Sequence, residues 1–79
     1  MNTNDLKYLR PGHMVTPDRN LVMVNGTIAF KKGNQYKVIF VSERIFSCIN
    51  EVGDEHIIND MQEYDAWLQY FEKVKHEGS

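Results

Sequence analysis

Cys48 and His56 are the one pair in this chain whose residue types suit nucleophilic catalysis. A cysteine attacks as its thiolate, and a neighbouring imidazole would take the proton. The two fall on adjacent expected strands, so contact between them is geometrically open. Cys48 sits within a largely apolar strand, Ile45–Ile49, and a thiol in such surroundings is usually an inert packing group. His56 reads as a solvated or hydrogen-bonded strand residue. Asp54 and Glu55 come nearest to a carboxylate pair, but consecutive strand residues point to opposite faces, so they read as a turn. His13, His56 and His76 have no spacing that puts two on one helix face, and one cysteine cannot complete a four-ligand zinc set. Gly12, Gly26, Gly33, Gly53 and Gly78 are isolated turn glycines, not a phosphate-binding loop. The expectation is a protein that is not an enzyme and holds no metal or cofactor.

Two charged sets could instead bind a macromolecule. Lys31, Lys32 and Lys37 lie beside Phe30 and Tyr36, with Arg10 and Arg19 as further cations. Phosphate contacts with aromatic stacking would be their mechanism on a nucleic acid. Against this, the isoelectric point of about 5.8 is far from the basic footprint of such domains. The two aromatics also fall on the expected core face, and lysines flanking a hairpin more often guard a sheet edge. The second set is acidic: Glu51, Asp54, Glu55, Asp60, Glu63 and Asp65 surround Trp67 and Tyr70. An acidic rim steers a basic partner, and Trp and Tyr anchor interfaces. Trp67 continues an apolar stripe and reads as core, which leaves Tyr64 or Tyr70 as the exposed aromatic.

Charge is unevenly divided along the chain. Residues 1–40 hold six Lys or Arg against two acids, and residues 41–79 hold three against nine, for a net charge of −2. The preferred reading is a small non-enzymatic protein-binding module. Its acidic face, Glu51, Asp54, Glu55, Asp60, Glu63, Asp65 and Tyr70, would meet a protein with a basic surface. The alternative is a nucleic-acid accessory protein using Arg10, Arg19, Lys31, Lys32 and Lys37. A homodimer through an edge strand is also open.

The elements that must position these residues are short. Met1–Arg10 is polar and Asn-rich and reads as a flexible arm, anchored by Leu6, Tyr8 and Leu9. Arg10-Pro11-Gly12 is a turn signal, and His13–Val15 a strand stopped near Pro17. Leu21–Val24 and Thr27–Phe30 flank Asn25-Gly26, which suits a type I′ hairpin turn. In Gln35–Val41, Tyr36, Val38 and Phe40 share one face, while Ile39 and Val41 spoil the polar alternation, so this strand reads as covered on both sides. Ile45–Ile49 and Glu55–Ile58 follow as strands. From Asn59, the apolar residues Met61, Tyr64, Trp67, Leu68, Phe71 and Val74 recur at helical spacing. That helix either runs on to the end or stops near Tyr70, with Tyr70–Val74 as a closing strand; the spacing fits both.

Seventy-nine residues make one domain. Five or six short antiparallel strands and a C-terminal helix beginning near residue 60 suggest a mainly β fold, a small bent barrel over residues 11–76. The run Phe30-Lys31-Lys32-Gly33-Asn34-Gln35-Tyr36-Lys37-Val38, with Asp54-Glu55-His56 and Tyr70-Phe71-Glu72, resembles a pattern in short SH3-like barrel proteins encoded by bacteriophages and prophages. The resemblance covers about residues 28–74. It implies an SH3-like barrel, a strand at Tyr70–Val74 and a phage or prophage setting rather than an activity; in that setting the acidic half of the chain would let it occupy a basic surface of a host protein and modulate or inhibit that protein. The 27 residues before it, with the Asn25-Gly26 hairpin, are additional to the shortest of those proteins.

One cysteine allows no internal disulfide, which suits a reducing cytoplasm. Asp5 interrupts the place where a signal peptide needs an apolar run. The longest apolar stretches, Leu21–Val24 and Val38–Val41, are far short of the roughly 20 residues that span a bilayer. A cytoplasmic protein without a membrane contact is expected.

Overall fold

The computed structural model describes residues 1–60 and 66–74. Turn chemistry divides the described chain into seven strands: β1 (Met14–Pro17), β2 (Leu21–Val22), β3 (Ile28–Phe30), β4 (Tyr36–Val41), β5 (Phe46–Ile49), β6 (Glu55–Ile58) and β7 (Phe71–Lys73). They form a five-stranded antiparallel sheet in the order β6-β5-β4-β1-β7 and a separate β2–β3 hairpin.

A closed barrel is therefore not formed. Closure requires every strand to have two neighbours, whereas among the described residues β6 and β7 end the large sheet and β2 and β3 form a sheet of their own. The hairpin instead lies over one face of the large sheet. Phe30 from β3 meets Tyr36 of β4 at 4.9 Å, Phe71 of β7 at 5.1 Å and Trp67 at 6.0 Å between ring centroids, all edge-to-face. Leu21, Ala29, Val15, Val38, Phe46, Cys48, Ile58 and Leu68 fill much of the rest of this core.

The C-terminal helix expected from near residue 60 is likewise overturned. Trp67–Tyr70 is a single 3-10 turn, and the chain passes directly into β7, which pairs with β1. The cause is local. Ala66 has φ 49° and ψ 42°, left-handed backbone that no continuous right-handed helix can cross. The apolar spacing is met differently: the turn buries Trp67 and Leu68, and β7 buries Phe71. Met61 and Tyr64, the start of the expected stripe, lie outside the described residues. Left-handed alanine costs free energy that glycine avoids, so Ala66→Gly is expected to raise stability by about 0.5–1 kcal/mol after the entropy of the unfolded glycine is counted. A urea midpoint lower than that of the parent would contradict this.

The N-terminal segment, expected as an arm, forms a 3-10 helix over Thr3–Tyr8. Asn2 caps it: its side-chain oxygen accepts from the Asn4 and Asp5 nitrogens, and Asp5 accepts from the Asn2 nitrogen in return. Leu6 and Leu9 are buried in the core, while Tyr8 is exposed.

Two turns differ in detail from expectation. At Asn25-Gly26 the Met23 nitrogen donates to Thr27 at 2.8 Å, and the Gly26 nitrogen donates back to Met23 at 2.8 Å. Gly26 alone in this loop has positive φ, at 87°. This is a three-residue loop with one left-handed residue, not a type I′ turn, which needs two. In β4 the pairing with β5 slips between Val38 and Phe40: Val38 faces Cys48, and Phe40 faces Ser47. Ile39 is the extra residue of a bulge. Phe40 is thereby turned away from the core, and Val41 packs against it.

Candidate functional site

Antiparallel pairing sets Cys48 directly opposite His56, so the suspected nucleophile and base are brought together. The thiol of the pair is held in its protonated form. Cys48 is fully buried, and burial pushes its thiol up to about 12. The His56 ring stacks on Trp67 at 5.0 Å with 25° between planes, and Phe30 meets its edge.

The β5–β6 connection gathers the first three acids of the expected acidic face. Asn50 organises it: its side-chain oxygen accepts from the Val52 and Asp54 nitrogens at 3.1 and 3.0 Å, an Asx-type turn. Glu51 accepts from the Tyr36 hydroxyl and, at 2.7 Å, from the Asn34 amide. Donation from Tyr36 first, and Asn34 second, holds its carboxyl below the usual range. Burial, and then the Glu51 carboxylate, push the Tyr36 phenol above its usual value. Glu51 is thus a clasp between the β3–β4 and β5–β6 turns. Asp54 stays at the turn, and Glu55 opens β6, where its carboxylate accepts from Ser47 Oγ at 2.6 Å.

The other members lie apart from this group. Asp60 follows the far end of β6 and lines a hollow of about 410 Å³ with Thr3, Asn4, Glu43 and Arg44. Tyr70 lies under the Arg19 guanidinium, 4.0 Å from the ring centroid. Glu63 and Asp65 are outside the described residues.

The basic set is dispersed. Arg10 donates to the Lys7 and Leu9 carbonyls at 2.7 and 2.9 Å. Arg19 pairs with Asp18 at 2.9 Å. Lys31 and Lys32 occupy the β3–β4 turn, where their backbone nitrogens donate to Tyr36 Oη and Asn20 Oδ1. Lys37 is exposed on β4, opposite Met14. Phe30 and Tyr36, the aromatics that would have stacked on bases, are buried.

Sequence reasoning missed the feature that now stands out, an apolar patch on the face of the large sheet turned from the core. Across three strands, Phe40 faces Ser47 and Ser47 faces Ile57; one row along, Ile49 faces Glu55. Phe40 is 51% exposed, Ile57 59%, Ile39 41% and Ile49 37%. Ser47, between Phe40 and Ile57, is buried. The one signal in the sequence was the unbroken run Ile39-Phe40-Val41, which could equally mean a doubly covered strand.

Among the described residues, no group of three or more His, Cys, Asp or Glu could hold a metal ion, and no helix is long and apolar enough to cross a membrane. Fold and surface together define an open antiparallel β domain with an exposed apolar sheet face beside an acidic edge. No family model matches the chain, and comparison with curated proteins and with solved structures finds no match.

Proposed function

We propose that this chain is a small non-enzymatic protein-binding module that acts through the acidic β5–β6 side of its large sheet. The observation that carries this reading is the conjunction of Asp54 and Glu55 with exposed Phe40, Ile49 and Ile57. Apolar side chains supply contact area on desolvation, and flanking carboxylates select a partner with a basic surface. In a bacterial host that partner would be a host protein whose activity is modulated or blocked, the acidic surface occupying a basic one. The unpaired Cys48 agrees with a cytoplasmic setting.

The nucleic-acid alternative loses support from the burial of Phe30 and Tyr36, and Lys37 shares its sheet face with Glu55 and Glu72. The two readings separate in an affinity capture from bacterial lysate, run with and without nuclease. The expected result is a protein recovered stoichiometrically in both conditions and lost when Asp54→Lys and Glu55→Lys are combined. Prey that vanish with nuclease would overturn the protein-binding reading, and so would capture indifferent to the reversal.

A further inference from the structure

The two edges of the large sheet are not equivalent. At β7, the Met1 nitrogen donates to the Phe71 carbonyl at 2.7 Å, and Met1, Asp5 and Tyr8 line a hollow with Phe71, Glu72 and Lys73. The N-terminal segment therefore lies along that edge, and Lys73 adds the kind of charge that deters strand pairing. At the opposite edge, no described strand lies beyond β6. β6 reads Glu55-His56-Ile57-Ile58, with neither lysine nor proline nor a bulge.

From these differences we infer that β6 takes up an extended segment of the partner protein as an added strand, and that the segment carries an apolar residue followed two positions later by Lys or Arg. This inference rests on the protein-binding reading above and specifies the partner's chemistry.

Strand addition uses main-chain hydrogen bonds for affinity and alternate side chains for selection. On the outer face, β6 offers Ile57 and then Glu55. An antiparallel partner strand meets them with positions p and p+2, because opposed residues in such a pair share a face. Position p packs on Ile57, on the side away from Phe40. Position p+2 meets the Glu55 carboxylate, which Ser47 already holds at 2.6 Å. Asp54 and Asp60 flank the two ends of the strand and favour further positive charge on the incoming segment.

Charge also decides against a second copy of this chain as occupant. Two β6 strands about a two-fold axis, with Ile57 opposite Ile57, would set Asp54 of each copy opposite Asp60 of the other. Shifting to His56 opposite His56 places Glu55 against Ile57 and loses the apolar match. Neither register supplies a cation, because the sequence has no Lys or Arg between Arg44 and Lys73. Like charges directly opposed destabilise a strand pair.

The test uses the full chain and three acetylated, amidated nine-residue peptides of alternating Thr and Val. One has Lys two positions after its central Val, one has Glu there, and one has Pro in place of the central Val. Titration is read by calorimetry and by amide hydrogen exchange. The lysine peptide is expected to bind at least tenfold tighter than the glutamate peptide, the proline peptide not to bind, and exchange to slow along β6. Glu55→Lys should reverse the charge preference, Glu55→Gln should erase it, and Ile57→Lys should abolish binding, each with an unchanged near-UV spectrum. Equal affinity for both charges, protection at β7 instead of β6, or a concentration-dependent dimer sealed through β6 would each overturn the inference. Peptide failure alongside retained, reversal-sensitive capture of a lysate protein would reject strand addition alone. Failure of both would reject the protein-binding reading as well.

Discussion

Phe30→Ala is expected to remove most of the domain's stability at 25 °C. The Phe30 ring is fully buried and is the joint between the two sheets, meeting Tyr36, Phe71, Trp67 and His56. Truncating a buried phenylalanine typically costs about 3–5 kcal/mol, part from lost transfer and part from the cavity left behind. A domain of this size has a total stability near the lower end of roughly 5–15 kcal/mol. The urea midpoint should fall to a small fraction of the parent's, and the near-UV dichroism should weaken. Tyr8→Ala, at an exposed ring, is the control and should move stability by no more than about 0.5 kcal/mol. A Phe30→Ala protein that loses less than about 1 kcal/mol would mean that the hairpin does not depend on this joint.

Cys48 carries the second large effect, on reactivity and on alkaline stability together. Its thiol lies at about 12 because burial disfavours the thiolate, whereas the unfolded chain ionises near 8.5. At pH 8 the folded state should therefore hold roughly a thousandfold less thiolate than the unfolded one, and a thiol reagent should label it only after unfolding. The sign of the linkage follows: an acid raised by folding contributes its full stability below the unfolded value and loses it as pH climbs towards the folded one. Stability is expected to fall from about pH 9, with a limiting slope of about 1.4 kcal/mol per pH unit for one proton. Tyr36, also raised by burial, adds to the loss above about pH 10. Cys48→Ala should start from lower stability and show a shallower decline between pH 9 and 10. Rapid labelling of the native protein at pH 8, or a flat alkaline limb in the parent, would refute the burial argument.

The strands were legible because turns are local. Arg10-Pro11-Gly12, Asn25-Gly26, Lys31–Asn34 and Asn50–Gly53 each bend the chain by their own backbone preferences, and the strands fall between them. The fold class was not legible, because closure depends on whether β6 and β7 find neighbours, and no local pattern in four or three residues encodes that. Helical spacing at Trp67, Leu68 and Phe71 misled for a related reason. A buried turn followed by a strand can satisfy the same apolar positions, and left-handed Ala66 leaves no mark in composition. In the candidate site, the carboxylates of Asp54 and Glu55 could be read as charge on a turn. The apolar face beside them could not, since it depends on a register slip set by β5, a partner strand.

That slip also bears on heredity. Val38, Phe40 and Val41 already face Cys48, Ser47 and Phe46 in unbroken succession, so Ile39 is the surplus member of the ladder. A three-nucleotide deletion of its codon would leave every flanking pair where it is. Loss of Val38 or Phe40 would instead let Ile39 take the vacated place, opposite Cys48 or Ser47, with Val41 still facing Phe46. The strand thus contains a short stretch at which gene length can drift without a frame of contacts being lost.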